Sequence, residues 1–394
     1  MRAIGDEQRR ARLAIRHHLA PASQGDDIAH VAGAVAGLHA SDPATVLLAA
    51  RARLRDATPQ DIERALYEAR SLVRLLGMRR TMFVVPVDLA AVVQASSTRG
   101  LLARERRISV SLLEESHVTD DGERWLAGAQ EQTLRALAAR GQAKATELSA
   151  DVPLLREKVG IASDKPYGTT QGMTTRVLFL LAAEGRIVRG RPLGSWTSSL
   201  YRWALMDEWL PGGLPELDPD AASIELVRRW LHAFGPGTYA DLKWWTGWPA
   251  AQLRRALAAV EPVEVALDGG AVGLLLAGDE EPVAPPAEPW TAFLPALDPA
   301  PMGWKARDWY LGAHRERLFD YSGNIGPTVW WDGRIVGGWA QRKDGEIAFA
   351  LLEDPGAEAA AAIAAEAQRL REWIAGVRVT PRFRTPLERE LCAG

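Results

Sequence analysis

Cysteine is nearly absent from the sequence. One residue, Cys392, among 394 excludes an internal disulfide framework and any cysteine-based metal cage, and it fits a reducing compartment. The seven histidines never pair at i, i+4, so no structural zinc is expected. No stretch of 18 apolar residues exists, so no transmembrane helix is expected. The opening MRAIGDEQRRARLAIRHHLA is charged throughout and lacks the apolar centre of a signal peptide. A phosphate loop, a GxGxxG after a strand and a GxSxG elbow are all missing. These absences point to a cytoplasmic protein with no cofactor, no metal and no membrane partner.

What is present is ordinary in amount and uneven in placement. Hydrophobic residues make up 47% and charged residues 25%, which supplies a sizeable core. The length suggests two to four domains of about 100–200 residues each. Residues 1–107 hold 17 arginines, no lysine and 11 acidic residues, a net +6. The rest holds 30 basic and 39 acidic residues, a net −9. A basic first quarter on an acidic remainder suits a polyanion-binding face. The same arginines also fit plain solvated helix faces in an arginine-favouring composition.

Three segments share one grammar: helix, short turn, helix, then two strands around a tight turn. The third is clearest. Residues 220–234 (DAASIELVRRWLHAF) show helical spacing of apolar residues. Gly235-Pro236-Gly237 interrupts the chain, and Thr238 can cap a short helix holding Leu242, Trp244 and Trp245. Gly247-Trp248-Pro249 makes the turn, and residues 250–259 read as a second helix. Apolar strands then flank Asp268-Gly269-Gly270, a strong hairpin signal. Helix-turn-helix followed by a hairpin is the winged-helix pattern. Trp244, Trp245 and Trp248 read better as core than as base-stacking platforms.

In the second segment helices are expected near 129–140, 151–158 (the candidate recognition helix) and 171–184. Strands near 185–190 and 196–205 bracket Arg191-Pro192-Leu193-Gly194 as a wing. The first segment has helices near 7–19, 27–37, 43–54 and 59–69, a wing across Leu72 to Val85 and a helix from 87 to about 107. Residues 278–289 are acidic and proline-rich, a linker or surface loop. Residues 325–352 alternate like strands, with turns at Asp332-Gly333 and Asp344-Gly345, and an alanine-rich helix spans about 356–376. The expected fold class is α+β: tandem winged-helix domains with a C-terminal β-rich, barrel-like module. The expected units are 1–110, 111–212, 213–290 and 291–394.

Five stretches carry a further resemblance: GLHASDP (37–43), LLGMRRTMFVVP (75–86), GRPLGSWTSSLYRWA (190–204), FLPALDPAPMGWKARD (293–308) and VTPRFRTPLERELCA (379–393). Together, and in this order, they resemble the AlkZ/YcaQ-like winged-helix DNA glycosylases. The resemblance implies a monomer whose tandem winged helices surround duplex DNA in the nucleoid. It implies excision of alkylated, typically N7-substituted purines, including bulky or crosslinked adducts, and roles in alkylation repair and self-resistance. It implies no metal. The family's catalytic motif is Gln, an apolar residue, then Gln or Asp. Here that position reads His39-Ala40-Ser41, a departure at both functional positions.

An N7-alkylated purine is cationic and leaves readily, so the site must chiefly hold water and stabilise an oxocarbenium-like transition state. An imidazole can position water or take its proton. His39 and Ser41 are thus the catalytic candidates, with Asp42 as a nearby carboxylate. No lysine stands in the motif for a Schiff base, so monofunctional chemistry is expected. Pro43 disfavours helix at Asp42 and makes residues 38–42 a loop. Asp42 reads more readily as the cap of the helix that Pro43 begins. Arg51, Arg79, Arg80, Trp196, Ser198, Tyr201, Arg202, Lys305, Arg382 and Arg384 are the candidate DNA contacts, with core packing the competing role for Trp196 and Tyr201. A non-catalytic DNA-binding protein, regulator or lesion binder, is the rival reading.

Overall fold

The computed structural model describes residues 1–161, 169–381 and 383–393; Arg382 lies outside them. The fold is mixed α and β, with several small sheets among many helices.

Short polar side chains set the helix starts. Asp42 accepts the Ala44 amide, with Pro43 opening the helix Pro43–Arg51. Thr58 and Asp61 close a capping box on Pro59–Tyr67, and Thr238 and Asp241 do the same on Tyr239–Thr246. The third segment matches its sequence reading closely. Helices Pro219–Phe234, Tyr239–Thr246 and Ala250–Val260 lead into strands Val263–Leu267 and Val272–Leu275 around Asp268–Gly270. One feature is added: Arg2–Ile4 pairs in parallel with Val263–Leu267. The first residues of the chain therefore share a sheet with the third unit.

The first segment has helices Asp6–Arg16, Ile28–Ala34, Pro43–Arg51 and Pro59–Tyr67, then a hairpin of Leu72–Leu76 and Met82–Pro86. Leu38–His39 joins this hairpin as an edge strand against Met82–Pro86. The expected loop at 38–42 is thus a strand in its first half. The helix expected from 87 is broken by a wide π turn, Gln94–Thr98, before Arg99–Glu115.

The second segment departs most. No helix spans 151–158: Ala145–Asp151 ends there, Pro153–Arg156 forms a 3₁₀ turn, and Lys158–Ile161 is a strand paired with Thr169–Gly172. Pro153 has no amide hydrogen to continue the preceding helix. Met173–Ala183 is the next helix, and strands Ile187–Pro192 and Tyr201–Leu205 pair beyond it.

The barrel-like reading of the C-terminal module is corrected. Strands Thr291–Leu294, Thr328–Trp331, Arg334–Gln341 and Ile347–Leu351 form an open antiparallel sheet in sequential order. Four strands are too few to close around a side-chain core, which takes about eight. Helices cover the sheet instead: Ala357–Ile374 packs on its first strand and Pro386–Ala393 on Arg334–Gln341.

The buried apolar residues gather in two main cores. One continuous apolar core runs through the first unit, the third and the C-terminal sheet, and takes in Val188, Trp196 and Trp209 from the second. The second unit holds a separate core around Leu126, Leu137, Leu155 and Leu181. A bidentate ion pair crosses the larger core. Arg53 Nη2 and Nη1 donate to the Asp298 carboxylate at 2.7 and 2.8 Å, with both side chains 0% exposed. It ties the helix after the His39 strand to the module that closes over it.

Candidate functional site

His39 sits opposite Phe83 in the edge strand, and the Ala40 amide continues the ladder by donating to the Met82 carbonyl at 2.7 Å. In extended chain, residues i and i+2 point to one face. That brings His39 and Ser41 to the same side, which helical spacing forbids. Both line a cleft of about 330 Å³ together with Asp42, Arg79, Asp320 and Phe383.

His39 is 4% exposed. Burial, then the neighbouring Arg79 guanidinium, pushes its pKa down to about 3. The ring is therefore neutral near pH 7. The Ser41 amide donates to its Nδ1 at 3.5 Å, which leaves the ring proton on Nε2. His39 thus offers a hydrogen-bond donor, and its weak basicity makes it a poor proton acceptor. Ser41 Oγ accepts the Met82 amide at 3.4 Å, and its hydroxyl hydrogen remains available to donate. Asp42 has the capping role read from the sequence, its Oδ1 accepting the Ala44 amide at 3.0 Å, and it also borders the cleft.

Arg79 does not project from the hairpin tip as a solvated finger. Its backbone is left-handed, φ 53°, and its guanidinium lies 4.0 Å from the Trp244 ring centre. Arg307 approaches the same indole at 4.7 Å. Burial, then Arg307, lowers the Arg79 pKa to about 10, so it remains charged. Gly247 makes this placement possible, because a Cβ there would stand 2.9 Å from Arg79 Cγ. Arg80 is exposed and pairs with Glu105 at 2.9 Å.

Two cleft residues carry no flag in the sequence reading. Asp320 accepts the amides of Ser322 and Asn324 at 2.8 and 2.9 Å and the Asn324 side-chain amide at 3.0 Å. The string Asp-Tyr-Ser-Gly-Asn is an Asx-turn signal that was there to be read. Phe383, at the cleft, meets Tyr321 edge to face at 6.1 Å. Tyr321 is 84% exposed.

The remaining candidate contacts lie elsewhere. Arg51 pairs with Glu366. Trp196 is buried and packs edge-on to Trp373 at 6.1 Å. The Ser198 hydroxyl accepts the Leu200 amide in the turn before Tyr201. Tyr201 and Arg202 are half-buried, Lys305 is exposed, and Arg384 is half-buried before the last helix. Trp245 and Trp248 are core residues, as read. Among the described residues no group of His, Cys, Asp and Glu could hold a metal ion, and no helix is long and apolar enough to cross a membrane.

Comparison with known proteins adds the class. A solved structure of the DNA glycosylase AlkZ from Streptomyces sahachiroi has the same fold, with a TM-score of 0.70 and 22% identity over 93% of this chain and 98% of that one. The family described as "DNA glycosylase AlkZ-like" matches residues 32–373. The chain belongs to the AlkZ-like DNA glycosylase family. No curated protein matches the sequence.

Proposed function

We propose that this protein is a monofunctional glycosylase that releases N7-alkylated purines, bulky adducts included, from duplex DNA. The three helix–helix–hairpin units serve as winged helices that grip the duplex, and the protein acts as a monomer. The carrying observation is the edge strand that turns His39 and Ser41 into one cleft beside the Asp42 carboxylate.

In this reading the C1′–N9 bond breaks with its electron pair passing to the cationic base, which leaves neutral. Water attacks C1′, and its proton passes to Asp42. His39 Nε2–H and the Ser41 hydroxyl hold the water or the sugar by donation. The buried, neutral imidazole supports such a positioning role over that of base. Arg79, stacked and charged, faces the DNA backbone at the rim. Tyr321 and Phe383 offer faces on which bases stack.

The test is a duplex oligonucleotide carrying one N7-methylguanine, followed by alkali. Strand breaks at the lesion support the proposal. A second reading, a lesion-binding protein without catalysis, draws support from the weak basicity of His39. It is favoured if binding is salt-sensitive and no base is released across methylated and bulky N7 adducts.

A further inference from the structure

A second cavity, about 210 Å³, lies where the first hairpin meets the second unit. It is on the other side of the sheet from the candidate cleft. His39 pairs with Phe83, whereas Arg74, Leu76 and Met82 occupy the alternate positions facing the opposite way. Most of the wall is apolar, with Leu76, Leu178, Phe179 and Trp203 among its residues.

Its polar end is unusual. Arg74 is 4% exposed. Its Nη1 donates to the Ala40 carbonyl at 3.2 Å, while its Nε is buried without a partner. Arg189 also lines the cavity. The two guanidiniums stand 4.9 and 5.6 Å from the ring centre of Tyr201, whose hydroxyl is likewise buried without a partner. Among the described residues neither arginine has an ion pair. Glu63 and Glu68, close by, are both engaged by Arg191. Burial, then the charge of Arg74, lowers the pKa of Arg189. A buried cation and a half-buried one beside an apolar hollow lack the anion that normally accompanies such burial.

We propose that this cavity binds a small aromatic carboxylate, its ring among Leu178, Phe179 and Trp203 and its carboxylate between Arg74 and Arg189. A guanidinium donates two parallel hydrogen bonds to a carboxylate, and the hollow accepts a single ring. Duplex phosphate is too bulky to reach a guanidinium buried as deeply as that of Arg74. The ligand also sits one side chain from the candidate active site, because Arg74 holds the carbonyl between His39 and Ser41. The site does not depend on the glycosylase reading.

The probes are phenylacetate and its neutral isostere phenylacetamide, titrated into the full chain by calorimetry. Phenylacetate is expected to bind at least about tenfold more tightly than the amide. Arg189→Gln removes that preference. Thr175→Trp, at an exposed position on the cavity wall, blocks both ligands while the protein stays folded. The proposal is overturned if phenylacetate fails to bind at about 10 mM, if acid and amide bind alike, or if binding persists unchanged in Thr175→Trp.

Discussion

At the scale of the residue, burial decides what His39 does. A histidine at a motif position invites the role of general base, yet desolvation holds its pKa at about 3. Its folded pKa lies below the unfolded value of about 6.5, so the unfolded chain binds the proton more readily. Stability is therefore complete above about pH 6.5 and is lost as pH falls toward 3. The expected result is a urea midpoint that declines over this range, less steeply in His39→Gln; equal slopes would show that His39 is not buried neutral. His17, also buried and lowered, keeps part of the slope in the variant. The Arg53–Asp298 pair makes a second expectation. Asp298→Ala leaves a buried guanidinium uncompensated and should cost about 3–5 kcal/mol in denaturant unfolding. A loss below about 1 kcal/mol would mean that water reaches the pair.

At the scale of the element, the hairpin tip is where sequence and structure part. The run Leu72 to Val85 reads correctly as two strands about a turn, since a β-branched, apolar run and Gly77 are local signals. Where Arg79 points is not local. It depends on Trp244 and on Gly247, about 170 residues away in sequence. The strand at Leu38–His39 was hidden likewise, because two residues carry no periodicity and the pairing partner is Phe83. The capping boxes at Thr58 and Thr238 were legible, since each is set by residues three apart. The open C-terminal sheet was half legible: alternation marks the later strands, but closure depends on strand number and on the helices that cover the faces. Gly247→Ala tests the tip. A Cβ would displace Arg79, and φ of +69° adds strain, so a stability loss of about 1–2 kcal/mol and weaker DNA binding are expected, read by denaturation and anisotropy. Unchanged DNA affinity would separate Arg79 from the DNA. Tyr321→Ala, at an exposed site, should leave the melting temperature unchanged and weaken binding to lesion duplex by about 1–3 kcal/mol; intact affinity removes it from the interface.

At the scale of the molecule, one core holds the cleft. The larger core joins the first unit, the third and the C-terminal sheet, and the cleft takes residues from both ends of that assembly: His39, Ser41 and Asp42 from one, Asp320 and Phe383 from the other. This is why the site is spread over stretches far apart in sequence. The most direct test is the single-turnover rate of 7-methylguanine release by Asp42→Asn. Asparagine caps a helix about as well as aspartate, so the fold and the strand before it are kept while the carboxylate is lost. The expected result is a rate at least about 100-fold lower with DNA affinity unchanged. A rate within about twofold of the parent would place the chemistry elsewhere.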